Sequence, residues 1–527
     1  MNAIDFIVTK FLWTYWPHMV LLTSIVASIT ASVHAAMTKQ DVRAAIGWVA
    51  VILFSPLFGA FLYFIAGINR IRRERIKVKR KKSEHLTQSV EKVEIGTESE
   101  VYVEAQVSRS DLKNIKGGVQ AAVKHLDNQS FEVSDVTQYG AQNFLGMHKL
   151  GDKVALFPLV SGNALRMLNG GDETYPAMIQ AISQAKHSVA MQSYIFDHDR
   201  AGLAVAQALI EAQKRGVEVR VLIDSVGSRY SRPAITPTLL AGSVDAALFM
   251  TTFPGLRLAY ANLRSHRKLL VIDGRYGLTG GMNIRESFMR QYGGDNMTHD
   301  THFEVEGPIV EQLFESFVHD WEFTTKEHLS GPAWYPANPV WKHGQNIPIR
   351  AVRSGPDRMM ANNQSMLLGV LSVAQQSVRI QSPYFLPDIT LIDSLKTAAR
   401  RGVVVDVVIP GNNNLKLVGA AMDAQFDQLI EVGVRVWRSQ GQFDHSKLCT
   451  VDGVWSYVGS SNIDARSLRL NFELDIEVYD SKLAQTLAQR IDHTIQSGKR
   501  VTLKSLKSKP FYLRLRNRIV WLASPYL

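Results

Sequence analysis

Cysteine is all but missing: Cys449 is the only one in 527 residues. An intramolecular disulfide is therefore excluded, and so is any zinc site built on cysteine. No group of carboxylates stands at metal-ligand spacing, so the sequence carries no sign of a metal site, and nothing in it calls for a cofactor. The low hydrophobicity of a disordered chain is absent as well. With 46% apolar and 20% charged residues, the chain can fill more than one hydrophobic core. Acidic residues are in short supply, 48 Asp+Glu against 59 Lys+Arg, for a net charge of +11. Such a balance invites a nucleic-acid reading, because basic proteins gain affinity by releasing phosphate counterions. That reading depends on where the charge lies.

It lies in two short segments. Residues 70–82 (RIRRERIKVKRKK) hold nine bases and one acid, and residues 499–518 hold eight bases and no acid. Each segment contributes +8, which leaves −5 for everything else. A nucleic-acid-binding face would spread its charge over the working surface, so no nucleic-acid partner is expected. The first basic run follows an uncharged apolar stretch, 45–68. At about 1.5 Å per residue that stretch is long enough to cross a ~30 Å hydrocarbon core. An earlier uncharged stretch, 11–37, opens with Trp13, Tyr15 and Trp16, as an interfacial belt does. It is richer in Ser, Thr and Ala, and its rival reading is a cleaved signal peptide. Together the two predict a two-helix transmembrane hairpin over 1–69. The nine-base run should stay on the cytoplasmic side, with the large C-terminal body beside it. Such a run also attracts anionic headgroups.

Residues 70–150 read as a basic juxtamembrane segment and polar linker. Beyond them the sequence repeats itself. A helical pattern running into a buried strand at 178–196 returns at 366–385, and a helix, an Arg-Gly break and a Val/Ile-rich strand at 204–223 return at 392–409. The offset is 189 residues at Gln192/Gln381 and 186 at Arg215/Arg401. Helices alternating with apolar strands imply an α/β fold whose sheet is buried on both faces. Duplication implies two lobes, 151–330 and 331–500, around a pseudo-two-fold axis, followed by a tail, 501–527.

Each lobe holds one copy of H-x-K-x4-D-x6-G-[GS]-x-N. The first copy is His266, Lys268 and Asp273 with Gly280, Gly281 and Asn283; the second is His445, Lys447 and Asp452 with Gly459, Ser460 and Asn462. Residues i and i+2 of a strand share a face, so each His projects with its Lys. Asp273-Gly274 and Asp452-Gly453 suit the turn that closes the strand, which suggests a structural role for those aspartates. The small residues let backbone and Asn amides approach a ligand closely. Two His, two Lys and two Asn in one pocket suit a phosphodiester. Cations and amides hold the non-bridging oxygens, one His attacks phosphorus, and the other protonates the leaving alcohol.

With these motifs the chain resembles the phospholipase D superfamily and, more narrowly, bacterial cardiolipin synthases. The likeness runs from the N-terminal hairpin through SYIFDHDRAG, SHRKLLVIDGRYGLTGGMNIRESF, QSPYFLPD and DHSKLCTVDGVWSYVGSSNIDARSLRLNFE to the basic end with its SPYL tail. It departs mainly over 83–150, where the linker is longer than usual. The resemblance implies two phospholipase D-like lobes and a phosphatidyl transfer through a phosphohistidine. In it His266 is the nucleophile and His445 the acid and then the base, with Lys268, Lys447, Asp273 and Asp452 completing the catalytic motifs. It further implies that an acidic residue some thirty positions after each histidine orients the imidazole; Asp300 and Glu473 hold those places, with Asn283 and Asn462 near the phosphate. The expected partners are phosphatidylglycerol and other anionic phospholipids, the expected place is a bacterial inner membrane, and the tail is a basic amphipathic membrane-associating element. A phosphatidylethanolamine-using synthase, a phospholipase D hydrolase and a superfamily nuclease share the catalytic set. Oligomeric state is not readable.

Overall fold

The computed structural model describes residues 3–39, 42–67, 143–251, 263–337, 345–357 and 359–524. The basic run 70–82 and most of the linker lie outside them. The N-terminal helices and the large C-terminal part form two separate units.

In the N-terminal unit, a helix spans Ala3–Thr38, and its stretch Tyr15–Thr38 is long and apolar enough to cross a membrane. The expected second helix over 45–68 is corrected. It is broken into Val42–Phe54 and Pro56–Leu62, followed by a π-helical turn, Tyr63–Gly67. Pro56 has no N–H for the i−4 carbonyl, so the helix stops at Ser55 (φ −144°) and restarts with Pro in its first turn. The break folds the chain so tightly that a Cβ on Gly59 would lie 2.3 Å from the Val51 carbonyl oxygen. Among the described residues one helix, not two, has full spanning length. The two arms still pack together: Ala35, Ile52 and Tyr63 are buried as a cluster, and His34 Nδ1 lies 2.7 Å from the Tyr63 hydroxyl.

The large unit is built on strands β1 (Val160–Asn169), β2 (Ser188–Ser193), β3 (Glu218–Asp224), β4 (Asp245–Phe249), β5 (Arg264–Ser265), β6 (Leu269–Ile272), β7 (Tyr276–Gly280) and β8 (Thr301–Glu306). The second half adds β9 (Ile347–Ser354), β10 (Ser377–Gln381), β11 (Phe385–Leu386), β12 (Val404–Pro410), β13 (Arg435–Ser439), β14 (Leu448–Val451), β15 (Trp455–Gly459), β16 (Ile463–Asp464), β17 (Asn471–Tyr479) and β18 (Lys499–Arg500). One lobe runs β1-β8-β7-β6-β2-β3-β4 and the other β9-β17-β15-β14-β10-β12-β13. The two orders match strand for strand, and parallel pairing falls at the same places, β2-β3-β4 and β10-β12-β13. Antiparallel pairing of β1 with β9 fuses both into one sheet. The duplicated α/β architecture is thus present as the repeat implied.

The repeated Arg-Gly break has a physical cause. The crossover helices Arg200–Lys214 and Ile389–Arg400 start at Asp199 and Asp388, whose carboxylates accept the Gly202 and Leu391 amides. They end at Arg215 and Arg401, before Gly216 (φ +88°) and Gly402 (φ +91°). Each arginine then donates to carbonyls ending the preceding helix: Arg215 to Ile182 at 2.9 Å, Arg401 to Leu371 and Ala374 at 2.8 Å. One assignment shifts: Phe144–Val154, part of the expected linker, is a helix whose Phe144 and Met147 are buried in the core of the second lobe.

Candidate active site

The two motifs meet because each is stitched to the other lobe. β5 pairs in parallel with the start of β17, and the His266 amide donates to the Phe472 carbonyl at 2.8 Å. In the mirror arrangement, Asp444 bridges to His299 and the His445 amide donates to the His299 carbonyl at 2.7 Å. Phe472 and His299 immediately precede Glu473 and Asp300. Each imidazole therefore faces the carboxylate of the opposite lobe: His266 Nδ1 lies 2.9 Å from Glu473 Oε2, and His445 Nδ1 lies 2.7 Å from Asp300 Oδ2. The motif residues themselves sit just ahead of β6 and β14 rather than inside a strand.

The half-sites differ in detail. His266 Nδ1 also lies 3.0 Å from the Ser460 carbonyl, so both of its partners are pure acceptors. A nitrogen facing only acceptors must carry the proton, which leaves Nε2 with a free lone pair. His445 Nδ1 instead has the Lys447 ammonium 2.8 Å away, besides Asp300. Glu473 is further held by the Ser460 hydroxyl at 2.6 Å and the Asn471 amide at 3.0 Å. In the first lobe glycine stands where Ser460 does: a Cβ on Gly281 would come within 2.5 Å of Asp300 Oδ1, so the shorter acid is packed by backbone.

All of these groups are buried, and burial dominates their protonation. It lowers His266 below the usual histidine value against the pull of Glu473, and together with Lys447 it pushes His445 down to about 4. It brings Lys268 down to about 7 and Lys447 to about 8, against their carboxylate neighbours. For Asp300 burial works upward, but Lys447 and His445 overcome it and hold the carboxyl at about 2; Glu473 is lowered likewise by His266 and Lys268. The result is a dry cluster of two imidazoles, two carboxylates and two ammonium groups. Such a cluster offers cationic donors to an anion and fixed tautomers to a proton transfer.

The remaining motif residues separate into two groups. Asn283 and Asn462 are buried next to the small-residue turns; Asn283 Oδ1 accepts the Ile195 amide at 3.2 Å, and Asn462 Oδ1 has no hydrogen-bond partner. A small cavity of about 20 Å³ borders Asn462 and Lys447. Asp273 and Asp452, grouped above with the catalytic motifs, stand in the turn that their Asp-Gly context suggested. Each lies five residues beyond its lysine at the far end of a strand, roughly 16 Å away at about 3.3 Å per residue. Both adopt left-handed backbone, φ +51°, in the turn. Asp273 accepts the amides of Lys186, His187 and Ser188, and Asp452 those of Gln375, Gln376 and Ser377. They clamp the hairpin to the start of β2 and of β10. Asp273→Asn, which tolerates the turn backbone but lacks the second acceptor oxygen and the charge, should cost about 1–3 kcal/mol of stability. Thermal unfolding would read that loss, while the folded fraction keeps its kcat.

Aromatic rings complete the site, and sequence reasoning did not assign them to it. Tyr194 sits edge-on to His266 at 5.1 Å, and Tyr384, Phe443 and Phe288 ring His445 at 6.1–6.3 Å. For Tyr194 and Tyr384 the signal was the repeated Gln-Ser-Tyr or Gln-Ser-Pro-Tyr at the ends of β2 and β10. Ser193 and Ser382 tie that turn through the Ile195 and Tyr384 carbonyls.

Paired His-Lys motifs on duplicated α/β lobes, with crossed carboxylates, define a phospholipase D-type protein. Residues 178–321 and 367–495 match the family described as cardiolipin synthase, PLD-like domain, and residues 26–67 match a phospholipase D-nuclease N-terminal family. Curated relatives include the cardiolipin synthase of Alkalihalophilus pseudofirmus, 29% identical over 91% of this chain and 88% of that one. Cardiolipin synthase A of Pseudomonas putida is 30% identical over 95% of both chains. The crystal structure of a Haemophilus influenzae phosphatidylserine synthase shares the fold at 16% identity, with a TM-score of 0.55 over 72% of this chain and all of that one. The chain belongs to the cardiolipin synthase family of phospholipase D-like enzymes.

Proposed function

We propose that this member transfers a phosphatidyl group from one phosphatidylglycerol to a second, releasing glycerol, through a phosphohistidine on His266. The observation that carries the choice of nucleophile is the pair of acceptors on His266 Nδ1, which leaves Nε2 unprotonated. Nε2 attacks phosphorus; the P–O bond to glycerol breaks, and His445 gives the leaving oxygen its proton. The hydroxyl of a second phosphatidylglycerol then loses its proton to His445 and attacks phosphorus, and the P–N bond to His266 breaks. Glu473 and Asp300 stabilise the imidazolium forms. Lys268, Lys447, Asn283 and Asn462 hold the non-bridging oxygens.

The chain associates with the membrane through its apolar N-terminal helix. The finer placement is a reading. Nine bases at 70–82, between the apolar segment and the body, favour a body on the cytoplasmic side of a bacterial inner membrane, whichever way the broken second arm runs. The packing of that arm on the first helix favours a multi-pass hairpin.

The test is purified protein in mixed micelles with labelled phosphatidylglycerol, with and without phosphatidylethanolamine. Cardiolipin and free glycerol are expected; ethanolamine release would change the donor, and phosphatidic acid alone would remove the transfer. The pH profile follows from the burial shifts. His266 must be neutral, and burial lowers it below the usual histidine value, so activity should fall on the acid side as it protonates. The lysines must be charged, so substrate binding weakens as pH rises through about 7 for Lys268 and about 8 for Lys447. Lys268→Arg, always charged, should move the alkaline limb of kcat/KM upward.

A further inference from the structure

The C-terminal helix, Phe511–Leu522, has two apolar faces, and the body of the protein uses only one. Leu513, Asn517, Val520 and Trp521 turn inward: Val520 and Trp521 pack on the second-lobe core, and Asn517 is buried. Asp423 accepts from Lys509 at the head of the helix. At about 100° per residue, Phe511, Leu522, Leu515, Ile519 and Tyr512 fall on one arc roughly 100° wide on another side. All five are exposed, from 48% at Leu515 to 72% at Leu522. Arg514 and Arg518 border the arc on one edge and Arg516 on the other.

A neighbouring turn carries two more exposed apolar residues. Leu415 and Leu417, 48% and 60% exposed, lead into the helix Lys416–Asp423, which packs against the C-terminal helix. The same turn is tied to the active site. The Tyr384 hydroxyl donates to Asn414 Oδ1 at 2.9 Å, Asn413 donates to the Pro383 carbonyl at 3.2 Å, and the Tyr384 ring edge faces His445.

We infer that this arc and the Leu415–Leu417 turn form a second membrane-contact surface, which inserts into an anionic bilayer and seats the mouth of the active site at the headgroup level. An apolar stripe flanked by arginines, with Lys416, Lys504 and Lys507 exposed nearby and no acidic residue from 499 to 527, fits acyl chains below and phosphates beside it. A second protein would need an acidic collar to match; an anionic lipid surface supplies that charge everywhere. The inference rests on a lipid substrate only for its role in turnover, not for the insertion itself.

The test uses the full chain reconstituted in vesicles. An environment-sensitive fluorophore on Leu515→Cys is compared with one on Glu211→Cys, near the C-terminal end of a crossover helix that leads back to the start of β3. Cys449 is buried and stays unlabelled. A blue shift at 515 but not 211, larger with phosphatidylglycerol than with phosphatidylcholine alone and reduced by salt, is expected. The triple variant Phe511→Ser, Leu515→Ser, Ile519→Ser should raise the surface KM for bilayer phosphatidylglycerol roughly tenfold. Turnover of short-chain monomeric phosphatidylglycerol should not change. No shift at 515 in phosphatidylglycerol vesicles overturns the inference. So does a shift that grows with protein concentration in lipid-free detergent, which marks self-association, or an equal loss on both substrates, which marks a structural role. Failure of the unsubstituted protein to turn over any phosphatidylglycerol would instead overturn the proposed function and leave the insertion result standing.

Discussion

His266→Ala should reduce turnover by about 10^4-fold or more and abolish the phosphoenzyme, because removing the group that forms the covalent bond leaves only binding and electrostatic stabilisation. Rapid quenching with phosphorus-labelled lipid should trap label on His266 in the unsubstituted protein and none in the variant, whereas a label in the glycerol head group should be released. His445→Ala should behave differently. With a phosphatidyl ester of nitrophenol, whose leaving group needs no proton, the first step should still run, and the labelled intermediate should accumulate because nothing deprotonates the second alcohol. The geometric ground is the contrast at Nδ1: His266 faces a carbonyl and a carboxylate, whereas His445 shares its nitrogen with the Lys447 ammonium. Label trapped on His445 would reverse the assignment of the two steps.

Much of this site is readable in sequence because it is written twice. The paired motif, the Gln-Ser turn and the Arg-Gly break recur at similar offsets, and each proves to make the same contact in both lobes. What does not show in a linear chain is which partner meets which. His266 and Glu473 are 207 residues apart, His445 and Asp300 145, and spacing alone pairs each acid with its own lobe's histidine. The crossing follows from β5 pairing with β17 and Asp444 with His299, a consequence of how two sheets join at β1 and β9. Asp273 and Asp452 show the opposite case. Their Asp-Gly context points to a turn, and the structure keeps them there, while membership of the motif suggests chemistry they do not reach. At the N-terminus 45–68 reads as one span because proline is tolerated within many membrane helices; here the missing amide of Pro56 breaks the helix instead. In the tail, periodicity alone leaves docking on the body and contact with a membrane as rivals; the helix has room for both, on different faces.

The crossed carboxylates separate the two chemical steps between the lobes. Glu473→Gln keeps a carbonyl oxygen for His266 Nδ1–H and loses the charge that stabilises the imidazolium, so phosphohistidine formation should slow by about 10^3- to 10^4-fold, as loss of a buried orienting carboxylate does elsewhere. The effect falls on the histidine of the first lobe although Glu473 belongs to the second. Asp300→Asn should spare the first step with the nitrophenol ester and slow its resolution, since it removes the partner of His445. Both acids are buried, and each variant leaves its charged neighbours behind, Lys268 beside Glu473 and Lys447 beside Asp300. Loss of either carboxylate should therefore also lower the charged fraction of that lysine and draw the alkaline limb of kcat/KM to lower pH. A merely structural role would lower both steps together and leave the limb in place. The opposite pattern, with Glu473→Gln blocking resolution and Asp300→Asn blocking phosphorylation, would mean that each acid serves its own lobe or that the histidines exchange roles. The position of the trapped phosphate decides between those two, so the pair of measurements fixes both the nucleophile and the crossing.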